Sequence, residues 1–308
     1  MDLLLHYQTC LGGPFPEPPP LDPVVRETIS QNGYQRVSVT YAAEPDDRVP
    51  ALLLIPEGVS ASHPAPAVCV WHQHNDQYQL GKAEPAGLAG DPTQHVAVAL
   101  VREGYVVLCP DALGFEERQD PAGRLSGSDY ERFLFLWYVV RGQSLAWKAV
   151  LDIRRAVDYL CSRPDVLPDR IGCYGHSMGS THAWLAGPLE PRLTCLVGNG
   201  CLPTYDAIEH ERLLHCFSNF VPGWKAVGDT PDIAALIAPR PLHLNFGERD
   251  AGSPIDFVRK GLGRIAAAYE RAGVPEHFTS FIEPGAGHAC TPAMWEQTLA
   301  VFRRYLRR

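Results

Sequence analysis

The chain of 308 residues lacks the features expected of a secreted or membrane protein. Its nine cysteines include no C-x-x-C pair, and four of them, Cys69, Cys109, Cys173 and Cys195, lie in apolar runs where cysteine acts as a small hydrophobic residue. The N-terminus has no basic segment before its short apolar run at residues 3–5, and no apolar stretch approaches a membrane span. We therefore expect a soluble, cytoplasmic protein without a membrane partner.

Positive charge is also scarce. The 27 lysines and arginines are outnumbered by 35 acidic residues, and the net charge is −8. Nucleic-acid surfaces are usually strongly basic, so this balance argues against a nucleic-acid partner. The basic segment 303–308 instead suits the C-terminus of a helix, where cations interact favourably with the dipole. The remaining composition, 45% hydrophobic and 20% charged, is ordinary for a globular protein.

Residues 175–179 read Gly-His-Ser-Met-Gly, which fits the pattern G-x-S-x-G. An apolar run at 170–174 precedes them and predicts a buried strand, and residues 180–186 can begin a helix. A serine on a tight turn between a strand and a helix is typical of a nucleophile elbow. The motif alone is weak, because it also occurs by chance in loops rich in glycine and serine. With suitable partners, it predicts that Ser177 is a nucleophile.

An acid and a histidine follow Ser177 in the order that this interpretation requires. Asp250 comes after a predicted strand at 241–246, and His288 comes after another at 277–282. The order Ser, Asp, His is that of α/β-hydrolases rather than of chymotrypsin or subtilisin. We expect His288 to act as general base and acid, and Asp250 to orient it. Glu248 and Asp256 are rival carboxylates, although Asp256 looks like a first-turn helix residue.

A metal site is the alternative interpretation of residues 72–76. His72 and His74 form an H-x-H pair close to Asp76, and such residues can bind zinc. The competing interpretation is that these residues form the oxyanion-hole loop, in which a histidine is held by hydrogen bonds and binds no metal. Since a serine nucleophile needs no metal, we expect neither a metal nor a cofactor.

Alternating strands and helices predict an α/β fold with a mostly parallel central sheet covered by helices. Strands near residues 37–41 and 51–56 have no helix between them, so we expect an antiparallel hairpin there. Residues 1–34 include a proline-rich stretch and are predicted to be an extension over the main domain, 35–308. Residues 112–143 and 199–239 exceed simple connections, so we interpret them as cap and pocket walls.

These features resemble the α/β-hydrolase superfamily, and within it the dienelactone hydrolase and acetyl xylan esterase branch. The resemblance rests on residues 68–74, 81–87 and 104–111, the elbow and the two late loops, and it covers about residues 35–308. It implies an oxyanion hole made by the backbone N–H of Met178 and that of Gln73 or His74. Two departures stand out: Gln73 replaces a common glycine, and Ser177 replaces the cysteine of dienelactone hydrolases, which favours ester chemistry.

The resemblance implies a serine hydrolase that cleaves a small-molecule carboxylic ester. C–C bond hydrolysis, thioester hydrolysis and peptide hydrolysis use the same triad, and a non-catalytic binding protein of this fold is a further alternative. Relatives often pair, so a homodimer is an open expectation. Six aromatic residues near the predicted mouth are candidates for binding a bulky substrate: Trp71, Tyr78, Trp137, Phe217, Phe220 and Trp224.

Overall fold

The computed structural model describes residues 2–307, so Met1 and Arg308, the outer ends of the two predicted domains, lie outside it. Within that range nine strands form one sheet in the order β1-β2-β3-β5-β4-β6-β7-β8-β9. The strands are β1 Val24–Gln31, β2 Tyr34–Glu44, β3 Asp47–Pro56, β4 Ala65–Trp71, β5 Val106–Pro110, β6 Val166–His176, β7 Leu193–Asn199, β8 Leu242–Gly247 and β9 Phe278–Glu283.

The sheet is antiparallel at one end and parallel over the rest. Pairings from β1 through β3 to β5 are antiparallel, and β2 and β3 form the predicted hairpin. The pairings of β5 with β4, and of every following neighbour up to β9, are parallel. Parallel neighbours bring the carboxyl ends of β6, β8 and β9 to one edge, and the three predicted catalytic residues follow these ends.

Helices cover both faces of the sheet. They are α1 Leu3–Leu11, α2 Val96–Arg102, α3 Gly127–Val140, α4 Leu145–Cys161, α5 Met178–Ala186, α6 Tyr205–Glu211, α7 Thr230–Ala235, α8 Ile255–Arg271 and α9 Pro292–Leu306. The central strand β4 alternates between two cores: Cys69 packs on the side of α4, α5 and α8, whereas Val68 and Val70 pack on the side of α2 and α9. The predicted α/β class with a mostly parallel sheet is therefore confirmed.

The first 34 residues contain two elements that the sequence analysis did not find. Helix α1 begins after Asp2, whose carboxylate accepts hydrogen bonds from two backbone amides of the first turn. Its Tyr7 is fully buried, and the hydroxyl donates to the carbonyl of Leu185 at 2.7 Å. Strand β1 extends the sheet edge, with Thr28 opposite Val37. The segment packs on the main domain, although the boundary at residue 34 stays a prediction.

The two predicted cap segments meet above the sheet edge. Residues 112–143 contain α3, and residues 199–239 contain α6, α7 and a short 3₁₀ turn at Phe217–Asn219. The rings of Phe135 and Phe217 pack 4.9 Å apart between centroids, which joins one segment to the other. No helix within residues 2–307 is both long enough and apolar enough to cross a membrane.

Candidate active site

Ser177 lies at a sharp turn between β6 and α5. Its backbone has φ 55° and ψ −118°, a conformation that residues other than glycine adopt at a cost of about 1–3 kcal/mol. The amide of Ser177 donates to the carbonyl of Asn199 at 2.8 Å, which ties the turn to the end of β7. Helix α5 begins at Met178, directly after the serine. The arrangement is the strained strand-turn-helix that the sequence motif predicts.

The two glycines of the motif allow chain segments to approach more closely than a side chain would permit. A Cβ on Gly175 would lie 2.0 Å from the carbonyl of Gly179, inside the start of α5. A Cβ on Gly179 would lie 2.2 Å from the carbonyl oxygen of Trp71 and 2.9 Å from that of His72. These contacts are with backbone, which cannot move aside easily. The start of α5 therefore packs directly against the loop that follows β4.

His288 bridges Ser177 and Asp250. Its Nε2 lies 2.8 Å from Ser177 Oγ, and its Nδ1 lies 2.6 Å from Asp250 Oδ2. The carboxylate of Asp250 is buried, and its Oδ1 accepts a hydrogen bond from the amide of Gly252 at 2.9 Å. Asp250 can accept a hydrogen bond from Nδ1–H, which keeps the proton on Nδ1 and leaves Nε2 free to take the proton of the serine hydroxyl. The geometry brings the three predicted residues together, within hydrogen-bond distance of one another.

The rival carboxylates lie elsewhere. Glu248 is partly exposed and accepts a hydrogen bond from the amide of Gly285 at 3.1 Å, while Asp256 is in the first turn of α8. Both carboxylates also lie within 4 Å of the guanidinium of Arg259. Neither has a hydrogen bond to His288, whereas the carboxylate of Asp250 does.

A buried pair behind the triad was missed by the sequence analysis. Asn199 donates from Nδ2 to His176 Nδ1 at 2.7 Å and to the carbonyl of Ala289 at 3.0 Å. The His176 ring packs 5.1 Å from the ring of His288. Burial, and secondarily the nearby His288, lower the pKa of His176 to about 3. His176 is therefore a neutral ring that supports the loop carrying His288, and its place inside the motif is the only sequence signal for this role.

The loop after β4, residues 72–76, borders the elbow and is called the oxyanion loop below. Met178 is the first residue of α5, so its N–H has no partner within the helix. The side chain of Gln73 turns away from the serine, and its amide donates to both carboxylate oxygens of Glu84 at 3.1 Å. The structure thereby accommodates the side chain that replaces the common glycine. The backbone amides of Met178, Gln73 and His74 remain our candidates for the oxyanion hole.

The rings of His72 and His74 are engaged by protein groups. His72 Nδ1–H donates to the carbonyl of Gln73 at 2.8 Å, and its Nε2 accepts from the amide of Ala112 at 3.1 Å. Burial lowers the pKa of His72 to about 4. His74 accepts the amide of Asp76 at Nδ1, 3.1 Å away, and its Nε2 lies 2.9 Å from a carboxylate oxygen of Glu131. Each ring nitrogen has a protein partner, which supports the loop interpretation over zinc.

A cluster of three acidic residues surrounds a lysine. Asp111, Glu116 and Glu117 place carboxylate oxygens close enough together to bind a cation. The buried Lys82 ammonium lies among them, at 2.8, 2.6 and 2.8 Å. Lys82 therefore already supplies the positive charge that these acids require.

The triad opens into a cavity of about 810 Å³, within the size range of ligand pockets. Three of the predicted aromatic residues, Tyr78, Phe217 and Phe220, line it. Three lining residues that sequence reasoning missed are Glu131, His215 and Arg249. Arg249 adjoins Asp250 in the loop that follows β8. Glu131 comes from α3, and no sequence pattern signals that this helix reaches the oxyanion loop.

The other three aromatic candidates require correction. Trp71 is buried beside His182 in the core beneath the cavity, and Trp224 is buried against α1, with Nε1 donating to the carbonyl of Asp229 at 2.8 Å. Trp137 is 49% exposed and packs against Phe133 on the solvent face of α3. None of them lines the cavity. Trp71 and Trp224 are part of the core, and Trp137 lies on the outward face of α3.

Comparison with known proteins gives the family. A model of the Abhydrolase family matches residues 13–287. The chain belongs to this family. Among its relatives, YtaP of Bacillus subtilis (strain 168), whose name proposes hydrolase activity, is 29% identical over 269 residues, which is 84% of each chain.

Solved structures of esterases share the fold of this chain. A glucuronoyl esterase from Solibacter usitatus matches with a TM-score of 0.71 at 20% identity, over 98% of this chain and 91% of that one. An acetyl xylan esterase from Paenibacillus sp. R4 matches with a TM-score of 0.64 at 17% identity, over 99% and 95%. The prediction of an α/β-hydrolase enzyme is confirmed, and these identities are evidence of shared fold.

Proposed function

We propose that this Abhydrolase family member is a serine hydrolase that cleaves a carboxylic ester of a small molecule. The observation that carries the proposal is the continuous chain of hydrogen bonds from Asp250 through His288 to Ser177, at the floor of the 810 Å³ cavity. The family match and the esterase structures of the same fold support it.

The first half of the reaction forms an acyl-enzyme. Ser177 Oγ attacks the substrate carbonyl carbon while its proton moves to His288 Nε2, and Asp250 stabilises the resulting imidazolium. The carbonyl oxygen becomes an oxyanion and accepts hydrogen bonds from backbone amides of Met178 and of Gln73 or His74. The intermediate then collapses, the bond to the alcohol oxygen breaks, and His288 returns the proton to the departing alcohol.

Water completes the second half. His288 Nε2 takes a proton from a water molecule as the water oxygen attacks the acyl carbon on Ser177. The second tetrahedral intermediate expels Ser177 Oγ, which regains its proton from His288, and the carboxylic acid leaves. No step requires a group beyond the protein and water.

The cavity wall supports a substrate with a bulky apolar or aromatic part. Tyr78, Phe217 and Phe220 line the same cavity as the serine. Contact between these rings and an apolar group of the substrate removes apolar surface from water, which favours binding. A panel of p-nitrophenyl esters of increasing acyl length, with phenylacetyl and benzoyl esters, tests this. We expect kcat/KM to rise with apolar acyl size and to fall selectively for large esters in Phe217→Ala. A strong preference for acetyl esters of small polar alcohols would contradict this pocket assignment.

The cellular setting is proposed from the cysteines. All nine cysteines, within residues 2–307, are free thiols, and four of the six buried ones lie in strands. Free thiols are usual in a reducing compartment, so we propose a cytoplasmic enzyme. Pairing into a homodimer stays a prediction from the resemblance to known hydrolases.

A further inference from the structure

Glu131 is a buried carboxylate that connects three walls of the active-site cavity. It lies on α3 and is 4% exposed. Its Oε2 accepts hydrogen bonds from His74 Nε2 and from the Tyr78 hydroxyl, both at 2.9 Å. Its Oε1 accepts the backbone amide of Phe217 at 3.3 Å. One side chain from the first cap segment thus holds the oxyanion loop, the tyrosine that follows it and the second cap segment.

The hydrogen bonds define the protonation of the His74 ring. Asp76 donates its backbone N–H to His74 Nδ1 at 3.1 Å, so Nδ1 is the unprotonated nitrogen of the neutral ring. The proton must then lie on Nε2, the atom that donates to Glu131. His74 is therefore fixed at both nitrogens, one by its own loop and the other by α3. The backbone of the loop cannot shift without breaking one of these bonds.

The loop that Glu131 holds is the one that packs on the elbow. The close approach of Gly179 to the carbonyls of Trp71 and His72 places the oxyanion loop against the first turn of α5. Asn75 and Asp76 continue the loop with φ of 45° and 50°, in the left-handed region, which asparagine and aspartate adopt more readily than other residues besides glycine. A loop without regular secondary structure needs contacts from outside itself to keep one geometry. Glu131 provides those contacts.

We propose that Glu131 is a positioning residue for the oxyanion hole, acting through the His74 ring to hold the backbone amides of residues 73 and 74 beside Ser177. The inference rests on the ester hydrolysis proposed above. Burying a carboxylate is costly, and an apolar side chain would serve packing alone at least as well. A buried acid that satisfies three donors on three segments fits a requirement for fixed geometry.

Two variants of Glu131 separate positioning from packing. In Glu131→Gln the amide oxygen can still accept from His74 and Tyr78, and only the longer bond to Phe217 is lost. Glu131→Leu keeps a similar volume but leaves His74 Nε2–H and the Tyr78 hydroxyl unpaired. With p-nitrophenyl acetate, we expect kcat within about 3-fold of wild type for Gln, and a fall of about 30- to 100-fold for Leu, with KM changed by less than about 3-fold.

A double variant tests whether the effect passes through the ring. His74→Phe removes the same link from the loop side, so we expect its kcat to fall as in Glu131→Leu. The variant with both changes should be no slower than either single variant, because the two side chains act as one unit. Multiplied losses in the double variant, or equal activity of Glu131→Gln and Glu131→Leu, would overturn the proposal. If Glu131→Leu fails to fold, His74→Phe compared with His74→Gln gives the same decision, since the glutamine can still donate to Glu131.

A distant buried carboxylate supplies the control for stability. Glu190 is 1% exposed and pairs with Arg192 at 2.6 Å, away from the cavity lining. Glu190→Gln should lower Tm with kcat unchanged. Ser177→Ala, assayed in parallel, separates the two proposals. If Ser177→Ala still hydrolyses the ester, the serine mechanism itself is refuted. If Ser177→Ala is inactive but Glu131→Leu has normal activity, only the role of Glu131 is refuted.

Discussion

Replacing Gly179 by alanine is the sharpest steric test of the elbow. The new methyl carbon would lie 2.2 Å from the Trp71 carbonyl oxygen, whereas ordinary contact begins at 3.4 Å, so the two must separate by about 1.2 Å. Neither partner is a flexible side chain: one belongs to α5 and the other to the end of β4. The separation therefore moves the first turn of α5 away from the oxyanion loop.

Both activity and stability respond to that movement. Displacing catalytic groups by about 1 Å costs about 100-fold in rate, so kcat for p-nitrophenyl acetate should fall by about two orders of magnitude. Overpacking costs about 1–3 kcal/mol, partly offset by about 1 kcal/mol because alanine favours a helix over glycine. We expect the free energy of unfolding, measured by urea denaturation, to fall by up to about 2 kcal/mol.

Gly263 provides the matched control. It lies within α8, and a Cβ there would meet no atom within 4 Å. Gly263→Ala should therefore leave kcat unchanged and raise the free energy of unfolding by about 0.4–1 kcal/mol. If Gly179→Ala matches the control in both measurements, the close approach of α5 to the oxyanion loop is refuted.

Three further substitutions probe the triad, one buried histidine and one buried lysine. Asp250→Asn keeps the shape, but its neutral amide can donate to His288 Nδ1 and so favours the wrong tautomer of the ring. We therefore expect kcat in the ester assay to fall by about 10⁴-fold, and a fall below about 10-fold would contradict the orienting role. Burial lowers the pKa of His182 to about 3, so between about pH 6.5 and 3 the unfolded chain binds a proton at this residue and the folded chain does not. The free energy of unfolding should therefore fall by about 1.4 kcal/mol for each pH unit below about 6.5. Urea titrations from pH 7 to 5 should show a shallower loss in His182→Gln, and an unchanged slope would contradict this. Lys82→Met strands the fully buried Asp111 without its cation and should cost about 3–5 kcal/mol, detected as a lower Tm; an unchanged Tm would show that the pair adds nothing.

The meeting of the three candidate catalytic residues could be predicted from sequence because each follows a strand of a parallel sheet. The carboxyl ends of β6, β8 and β9 meet at one edge, so strand-like runs before Ser177, Asp250 and His288 were enough to bring them together. The hairpin of β2 and β3 was predictable for a similar reason, since the turn between them leaves no room for a crossover helix.

The pocket walls could not be predicted to the same degree, since side chains there depend on contacts between distant segments. Trp224 lies in a long loop and looked like a pocket residue, but α1 covers it and places it in the core. Strand β1 was missed because seven of its eight residues are exposed, which leaves little hydrophobic alternation to detect. No sequence pattern pointed to Glu131, because its contacts with the cavity walls depend on where α3 packs in the folded protein.

The identity of the nucleophile is tested most directly by covalent labelling. The protein is treated with a fluorophosphonate, digested, and the modified residue is located by mass spectrometry, with p-nitrophenyl ester hydrolysis followed in the same sample. We expect one label, on Ser177, appearing as hydrolysis is lost, and neither label nor hydrolysis in Ser177→Ala. Hydrolysis that persists in Ser177→Ala, or a label on another residue that accounts for the lost activity, would contradict the proposed mechanism.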